Sequence, residues 1–196
     1  MKLYLVRHGF AYHNLAVNKW GDKGYFMKEY EGMLLTDALL TKRGIEQTTD
    51  LKKKFNTIEF RDIYCSSSSR CIQTCDLSID TNLLIKLDDR LMEPQGIHIC
   101  NKRKTKMEIS NFLLTTKNKF EFFNVKDDYD DRFNNPETND EITSRINNFI
   151  NYLKNNYKNE DTILIVTHYD WLFNFFSMFY NKPYVFNNCE LKIVDL

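Results

Sequence analysis

Two histidines, two arginines and one glutamate are of the right types for phosphoryl chemistry: Arg7-His8-Gly9, Arg70, Glu93 and Thr167-His168. A phosphomonoester is mostly dianionic at neutral pH because its second pKa is about 6. Guanidinium groups grip such an anion through paired N–H donors that lysine does not match, which points to Arg7 and Arg70. Charge spreads over the equatorial oxygens in the transition state, so fixed donors around them supply most of the catalysis. A neutral imidazole in that cradle can attack phosphorus in line, which makes His8 the candidate nucleophile and His168 a donor to the transferring group. Glu93 follows apolar Leu91 and Met92, and burial there would raise its pKa and suit it to protonate the leaving oxygen.

These residues are far apart in the chain, so secondary structure must gather them. Apolar runs at 2–6, 62–65, 83–87, 162–166 and 191–196 read as short strands. Thr41 is a predicted N-cap for a helix carrying Ile45, Thr48, Leu51 and Phe55 at helical spacing. Further helices are expected at 71–79 behind a serine cluster, in fragments around 109–114, from Asp140 through Tyr157, and at 171–180 with Asp170 as cap. Strands alternating with helices imply an α/β three-layer sandwich, a mostly parallel sheet covered on both faces. In such folds ligands sit beyond the carboxyl ends of the strands. The first strand ends at Arg7-His8, the second leads into Ser66 to Arg70, the third into Arg90 and Glu93, and the fourth into His168. Arg70 also falls in the first turn of its helix, where backbone N–H groups favour an anion.

Composition bounds the alternatives. With 196 residues the chain is expected to form one domain. Its 27 basic and 27 acidic residues cancel, giving no net field to recruit nucleic acid or an acidic membrane. The longest apolar stretch, 171–180, is half of what a membrane span requires. Five cysteines without a regular framework fit reduced thiols in a cytoplasmic protein. His8 and His13 lack a third ligand arranged with them, so neither a metal nor a cofactor is expected. Residues 11–40 read as one long irregular stretch lining the site, and 127–139 as acidic and turn-rich. Trp20, Tyr25 and Phe26 in the first stretch could lid the pocket, whereas His13 and His98 read as ordinary surface or loop residues.

Taken together, the motifs resemble the histidine phosphatase (phosphoglycerate mutase-like) superfamily, in order and over nearly the whole chain. Arg7-His8-Gly9 is similar to its RHG signature, and Asn14 to the asparagine that follows and touches phosphate. Asp37-Ala38-Leu39-Leu40-Thr41 with Gly44 and Gln47 resembles its D-x-x-L-T-x-x-G-x-x-Q segment, and 66–74 its S-x-x-x-R-x-x-Q-T segment. Glu93 matches the acid/base carboxylate, Thr167-His168 the second histidine, and Pro136-Glu137-Thr138 with Glu141 and Arg145 the P-x-E-S segment. Phe10 stands where mutases carry glutamate, Tyr169 where the family often has glycine, and Ser67 where it has proline or aspartate.

The resemblance implies metal-free hydrolysis of a small phosphorylated substrate through phospho-His8. Arg7, Arg70, His168, Gly9 and Asn14 would hold the phosphoryl group, and Glu93 would act as acid and then base. Tyr169, Arg90 and Lys104 are candidate substrate contacts, although an ion pair is the plainer reading for Arg90. Lys102, Arg103, Lys104 and Lys106 form a basic cluster that reads as a solvated face or as a holder of a second phosphate. Specificity is expected to lie in segments 11–40 and 92–131. The alternatives are mutase-type phosphoryl transfer and a phosphate-binding interaction module.

Overall fold

Six strands form the central sheet of the computed structural model, which describes residues 1–126 and 135–196. The strands are β1 (Lys2–Arg7), β4 (Asp62–Cys65), β5 (Ile85–Asp88), β6 (Phe120–Asn124), β7 (Thr162–Thr167) and β8 (Leu191–Asp195), in the order β6-β5-β4-β7-β1-β8. A separate two-stranded hairpin joins β2 (Glu29–Tyr30) to β3 (Met33–Leu34). The β1–β7, β7–β4, β4–β5 and β5–β6 pairs are parallel, and only the edge strand β8 runs antiparallel.

Side-chain alternation sorts the sheet's two faces. Along β7, Ile163 and Ile165 turn to one face and Leu164 and Val166 to the other. The first face packs on α5 (Asn139–Asn156) and α6 (Tyr169–Tyr180) through Ile146, Phe149, Trp171 and Phe175. The second packs on α2 (Lys42–Phe55), α3 (Ser69–Ser78) and α4 (Lys106–Leu113) through Leu51, Phe55, Ile72, Cys75 and Ile109. Helices on both sides of a mostly parallel sheet make the predicted α/β three-layer sandwich.

The expected strands and helices are present, with several differences. Segment 11–40 is not one irregular loop: it holds α1 (Tyr12–Trp20), a 3₁₀ turn at Gly21–Phe26 and the small hairpin. Its helix lacks a strong apolar stripe and a side-chain cap, which is why periodicity missed it. Strand β6 also went unread, because the run Phe120-Glu121-Phe122-Phe123-Asn124 is half-exposed at the sheet edge. His168, not Asp170, occupies the N-cap position of α6. Residues 127–134, part of the predicted acidic turn and of the expected 92–131 specificity segment, lie outside the described residues. All five cysteines are free thiols. No helix among the described residues is long and apolar enough to cross a membrane.

Candidate active site

The carboxyl ends of β1, β4 and β7 lie side by side, with Arg7 in register with Thr167 and Cys65 with Val166. They place His8, Ser66 and His168 at one edge. The rings of His8 and His168 are 5.2 Å apart, and those of His8 and His13 are 5.6 Å apart. His8 is 2%, Arg70 1%, His168 0%, His13 5% and Glu93 8% exposed. A small pocket of about 210 Å³ opens over this cluster, lined by Arg7, His8, Asn14, Glu93 and Tyr169 among others. Two larger hollows, of about 490 and 890 Å³, lie away from both histidines.

The segments around the cluster are scaffolding. Gly9 N–H donates to Thr74 Oγ1 at 2.9 Å, and Phe10 N–H to Gln47 Oε1 at 2.9 Å. Thr41 Oγ1 donates to the Phe10 carbonyl at 2.8 Å and accepts from Gly44 N–H as cap of α2. Gly44 is required because a Cβ there would collide with the Phe10 carbonyl. Asp37, at φ 46°, accepts from Ser69 N–H at 2.8 Å and Ser69 Oγ at 2.6 Å, so an aspartate from another segment caps α3 and the serine cluster does not. A helix N-terminal N–H without an intrahelical acceptor finds its partner in this way, and short polar residues tolerate positive φ.

The histidines are poised in different ways. His8 Nδ1 lies 2.8 Å from the Gly9 carbonyl; donation there leaves the lone pair on Nε2. His168 Nε2 lies 2.8 Å from Ser66 Oγ, and Cys71 Sγ is 3.4 Å from the same nitrogen. Burial, with the Arg70 guanidinium as the next cause, holds the imidazoles of His8, His13 and His168 well below the usual histidine range. All three are therefore neutral near pH 7.

The guanidiniums keep unused donors. Arg7 donates through Nη1 to the Phe186 carbonyl at 2.6 Å and lies 4.9 Å over the Tyr169 ring. Arg70 donates through Nη1 to the Cys100 carbonyl at 2.8 Å and through Nη2 to Asn101 Oδ1 at 3.1 Å. Arg7 Nε, Arg70 Nε and His13 Nδ1 are buried without a protein partner, and leaving such groups unmet is costly. Three orphaned polar atoms around one pocket fit the chemistry of a bound anion. Arg70 and His168 lie beneath the open volume, not on its wall.

Glu93 sits at the start of α6, where it accepts from Asp170 N–H at 3.0 Å and Trp171 N–H at 3.3 Å. Burial, then the nearby Asp170 carboxylate, pushes its pKa up to about 7 against the pull of Arg70, Arg7 and those N–H groups. Asn14 Oδ1 accepts from Ala11 N–H at 3.0 Å, leaving its amide nitrogen as the donor end.

Two candidate contacts fall elsewhere. Arg90 is spent on Asp88, with Nε at 3.0 Å and Nη2 at 2.6 Å from its carboxylate, and its guanidinium lies over Phe149 and Tyr152. It does not line the pocket. Lys104 Nζ donates to Ser69 Oγ at 3.0 Å and stands 3.8 Å from Asp37 Oδ2, bracing the start of α3. The basic cluster does not present one face: Arg103 is buried near Asp89, and Lys106 lies over Phe122.

Other residues belong to the site without having been predicted there. His13 and His98 both line the pocket; His13 is a buried helix residue, contrary to the surface or loop reading, whereas His98 lies on a loop as expected and stacks on Tyr25 with ring centres 4.2 Å apart. Asn188 donates to the His8 carbonyl at 3.1 Å and to Asn14 Oδ1 at 3.4 Å, tying both to the approach to β8. Nothing in its spacing marks Asn188, whereas Ser66 follows β4 directly and was placed at the right edge. No group of three histidine, cysteine or acidic side chains among the described residues is arranged to hold a metal ion.

Comparison with known proteins agrees with this fold. The alpha-ribazole phosphatase of Shigella flexneri superposes with a TM-score of 0.66 at 20% identity, covering 100% of this chain and 91% of that one. A phosphoglycerate mutase from Bacillus anthracis gives a TM-score of 0.65 at 18% identity, covering 98% and 86%. A protein of Arthroderma benhamiae named "Probable phosphoglycerate mutase" is 26% identical over 133 residues, 59% of this chain and 40% of that protein. This chain therefore spans less than half the length of that relative. The family model for the histidine phosphatase superfamily (branch 1) matches residues 3–186. With the two histidines, the arginines and the raised carboxylate in one cluster at the sheet's carboxyl edge, the chain belongs to the histidine phosphatase superfamily.

Proposed function

We propose that the protein is a phosphatase that hydrolyses a small phosphomonoester through a phosphohistidine on His8, without a metal. The observation that carries this reading is the hydrogen bond from His8 Nδ1 to the Gly9 carbonyl, which directs the Nε2 lone pair away from the backbone beside unmet guanidinium N–H groups. In the first step Nε2 bonds to phosphorus as the ester P–O bond breaks, and Glu93 passes its proton to the leaving oxygen. In the second, the Glu93 carboxylate takes a proton from water as that water attacks phosphorus and the P–N bond breaks. Arg7, Arg70, His168 and Asn14 stabilise the charge on the equatorial oxygens. Gly9, also expected to hold the phosphoryl group, is a close-packing position, where a Cβ would meet the Gly44 carbonyl, Cys189 and Leu40.

A pKa of about 7 suits Glu93 to both steps, since a group must give and regain a proton near the working pH. Phosphate release from p-nitrophenyl phosphate should depend on His8 and be unaffected by EDTA. Full activity in His8→Ala would remove the mechanism.

Mutase-type transfer is the second reading, supported by the named relatives. Against it, Phe10 supplies no carboxylate after the Arg7-His8-Gly9 segment, and its ring packs under Arg43 with the guanidinium 4.7 Å away. Conversion of 3-phosphoglycerate with 2,3-bisphosphoglycerate present, faster than phosphate release, would favour the mutase. A phosphate-binding module without turnover would show no His8-dependent cleavage.

A further inference from the structure

We propose that Asp170, at the mouth of the pocket, makes the enzyme select phosphomonoesters whose alcohol part carries no negative charge; this rests on the hydrolytic reading above. Beyond the transferred phosphoryl group, any second anion on the substrate would have to find a cation. Among the described residues lining the pocket, Arg7 is the only arginine or lysine, set against the carboxylates of Glu93 and Asp170. Arg7 and the buried Arg70 are both claimed by the first phosphoryl group in the proposed mechanism. Lys104, a candidate substrate contact in the basic cluster, is turned to Ser69 and Asp37.

The groups facing Asp170 come from every wall: Arg7 at the end of β1, Glu93 after β5, His98, and Tyr25 of the 3₁₀ turn. Burial holds His98 below the usual histidine range despite that carboxylate, so it offers no positive charge near pH 7. One carboxylate thus has two consequences. It adds to the burial that raises Glu93 into the range where it can act as an acid, and it repels a leaving group that brings its own phosphate or carboxylate.

Glycerol 3-phosphate and 3-phosphoglycerate form a matched pair, differing by a hydroxymethyl group against a carboxylate. Wild-type kcat/KM for phosphate release should favour glycerol 3-phosphate by about tenfold or more. The ratio should narrow as salt rises from about 0.1 M to about 1 M, where the screening length falls from about 10 Å to about 3 Å. Asp170→Asn should also narrow the ratio, and His98→Lys, which adds a cation at the same mouth, should do so if Asp170→Asn fails to fold. Lys104→Ala should leave the ratio as it is.

Hydrolysis of both esters at similar kcat/KM, or faster hydrolysis of 3-phosphoglycerate, would overturn the inference while leaving the phosphatase reading intact. So would an unchanged ratio in a folded Asp170→Asn, or selective loss of 3-phosphoglycerate turnover in Lys104→Ala. No His8-dependent release from either ester would instead sink the hydrolytic reading itself.

Discussion

The floor and the mouth of the pocket are built by different means. The floor is made where strands β1, β4 and β7 stop, and the parallel ladder itself sets the spacing of His8, Ser66 and His168. The mouth is made by a 3₁₀ turn, the loop carrying His98 and the first turn of α6, held by the stacked Tyr25–His98 pair and a carboxylate. A sheet edge positions side chains rigidly, as transition-state stabilisation demands, whereas loops on such a scaffold can vary and thereby choose the substrate. Damage to the floor should therefore remove chemistry, and damage to the mouth should change mainly preference.

The largest effect expected is from His8→Ala, which should bring phosphate release to background in a protein that still melts cooperatively. Glu93→Gln should cost about 10²–10⁴-fold in turnover of alkyl phosphates and less with p-nitrophenyl phosphate, whose leaving group needs little protonation. The same carboxyl should set the alkaline limb of the pH profile. It must hold its proton to act as the acid, so kcat/KM for an alkyl phosphate should fall as pH rises through about 7, and Glu93→Gln should lack that limb.

Stability should follow the same sign. With its pKa raised from 4.5 to about 7, Glu93 supports the fold fully below the lower value, and that support is lost as pH rises through the upper one. The melting temperature of Glu93→Gln should thus fall less than wild type between pH 5 and 8, and parallel curves would count against the raised carboxyl.

Gly44→Ala tests whether α2 is part of the floor. The added methyl must push against the Phe10 backbone, so a loss of about 1–3 kcal/mol is expected in denaturant titrations, with reduced turnover from a displaced Gly9–Phe10 segment. Unaltered stability and activity would show that the contact is slack.

The smallest effect is expected at the mouth. Tyr25→Ala should shift KM by less than about tenfold and leave kcat nearly unchanged, because an exchangeable wall contact contributes about 1 kcal/mol. A collapse of kcat instead would erase the distinction between the two regions.

Much of the floor was legible in the sequence because short β-rich runs such as Thr162–Thr167 announce themselves, and whatever follows such a run in a parallel sheet lies at the ligand edge. Glu93 was reached from its place after the third strand beside apolar Leu91 and Met92, and Asn14 through motif order. Arg90 and Lys104 stood as candidate substrate contacts beside plainer readings, an ion pair and a solvated face, because a free cation and a paired one look alike in a string of letters. Asp88 stands only two residues from Arg90, but only the fold brings Asp37 near Lys104. His13 was underrated for the reason that hid α1: a helix with a weak apolar stripe gives no sign of which residue it turns inward.

Local order along the chain determined the alternation of strands and helices, and with it the edge where Arg7, His8, Arg70 and His168 gather. Contacts between distant segments decided the rest: the cap that Asp37 lends to α3, the donor that Asn188 lends to His8, the burial that lifts Glu93, and the carboxylate of Asp170 beside it. Backbone pattern is a property of neighbours in sequence, but desolvation and Coulomb interaction depend on distance through space, which exists only once the chain has folded.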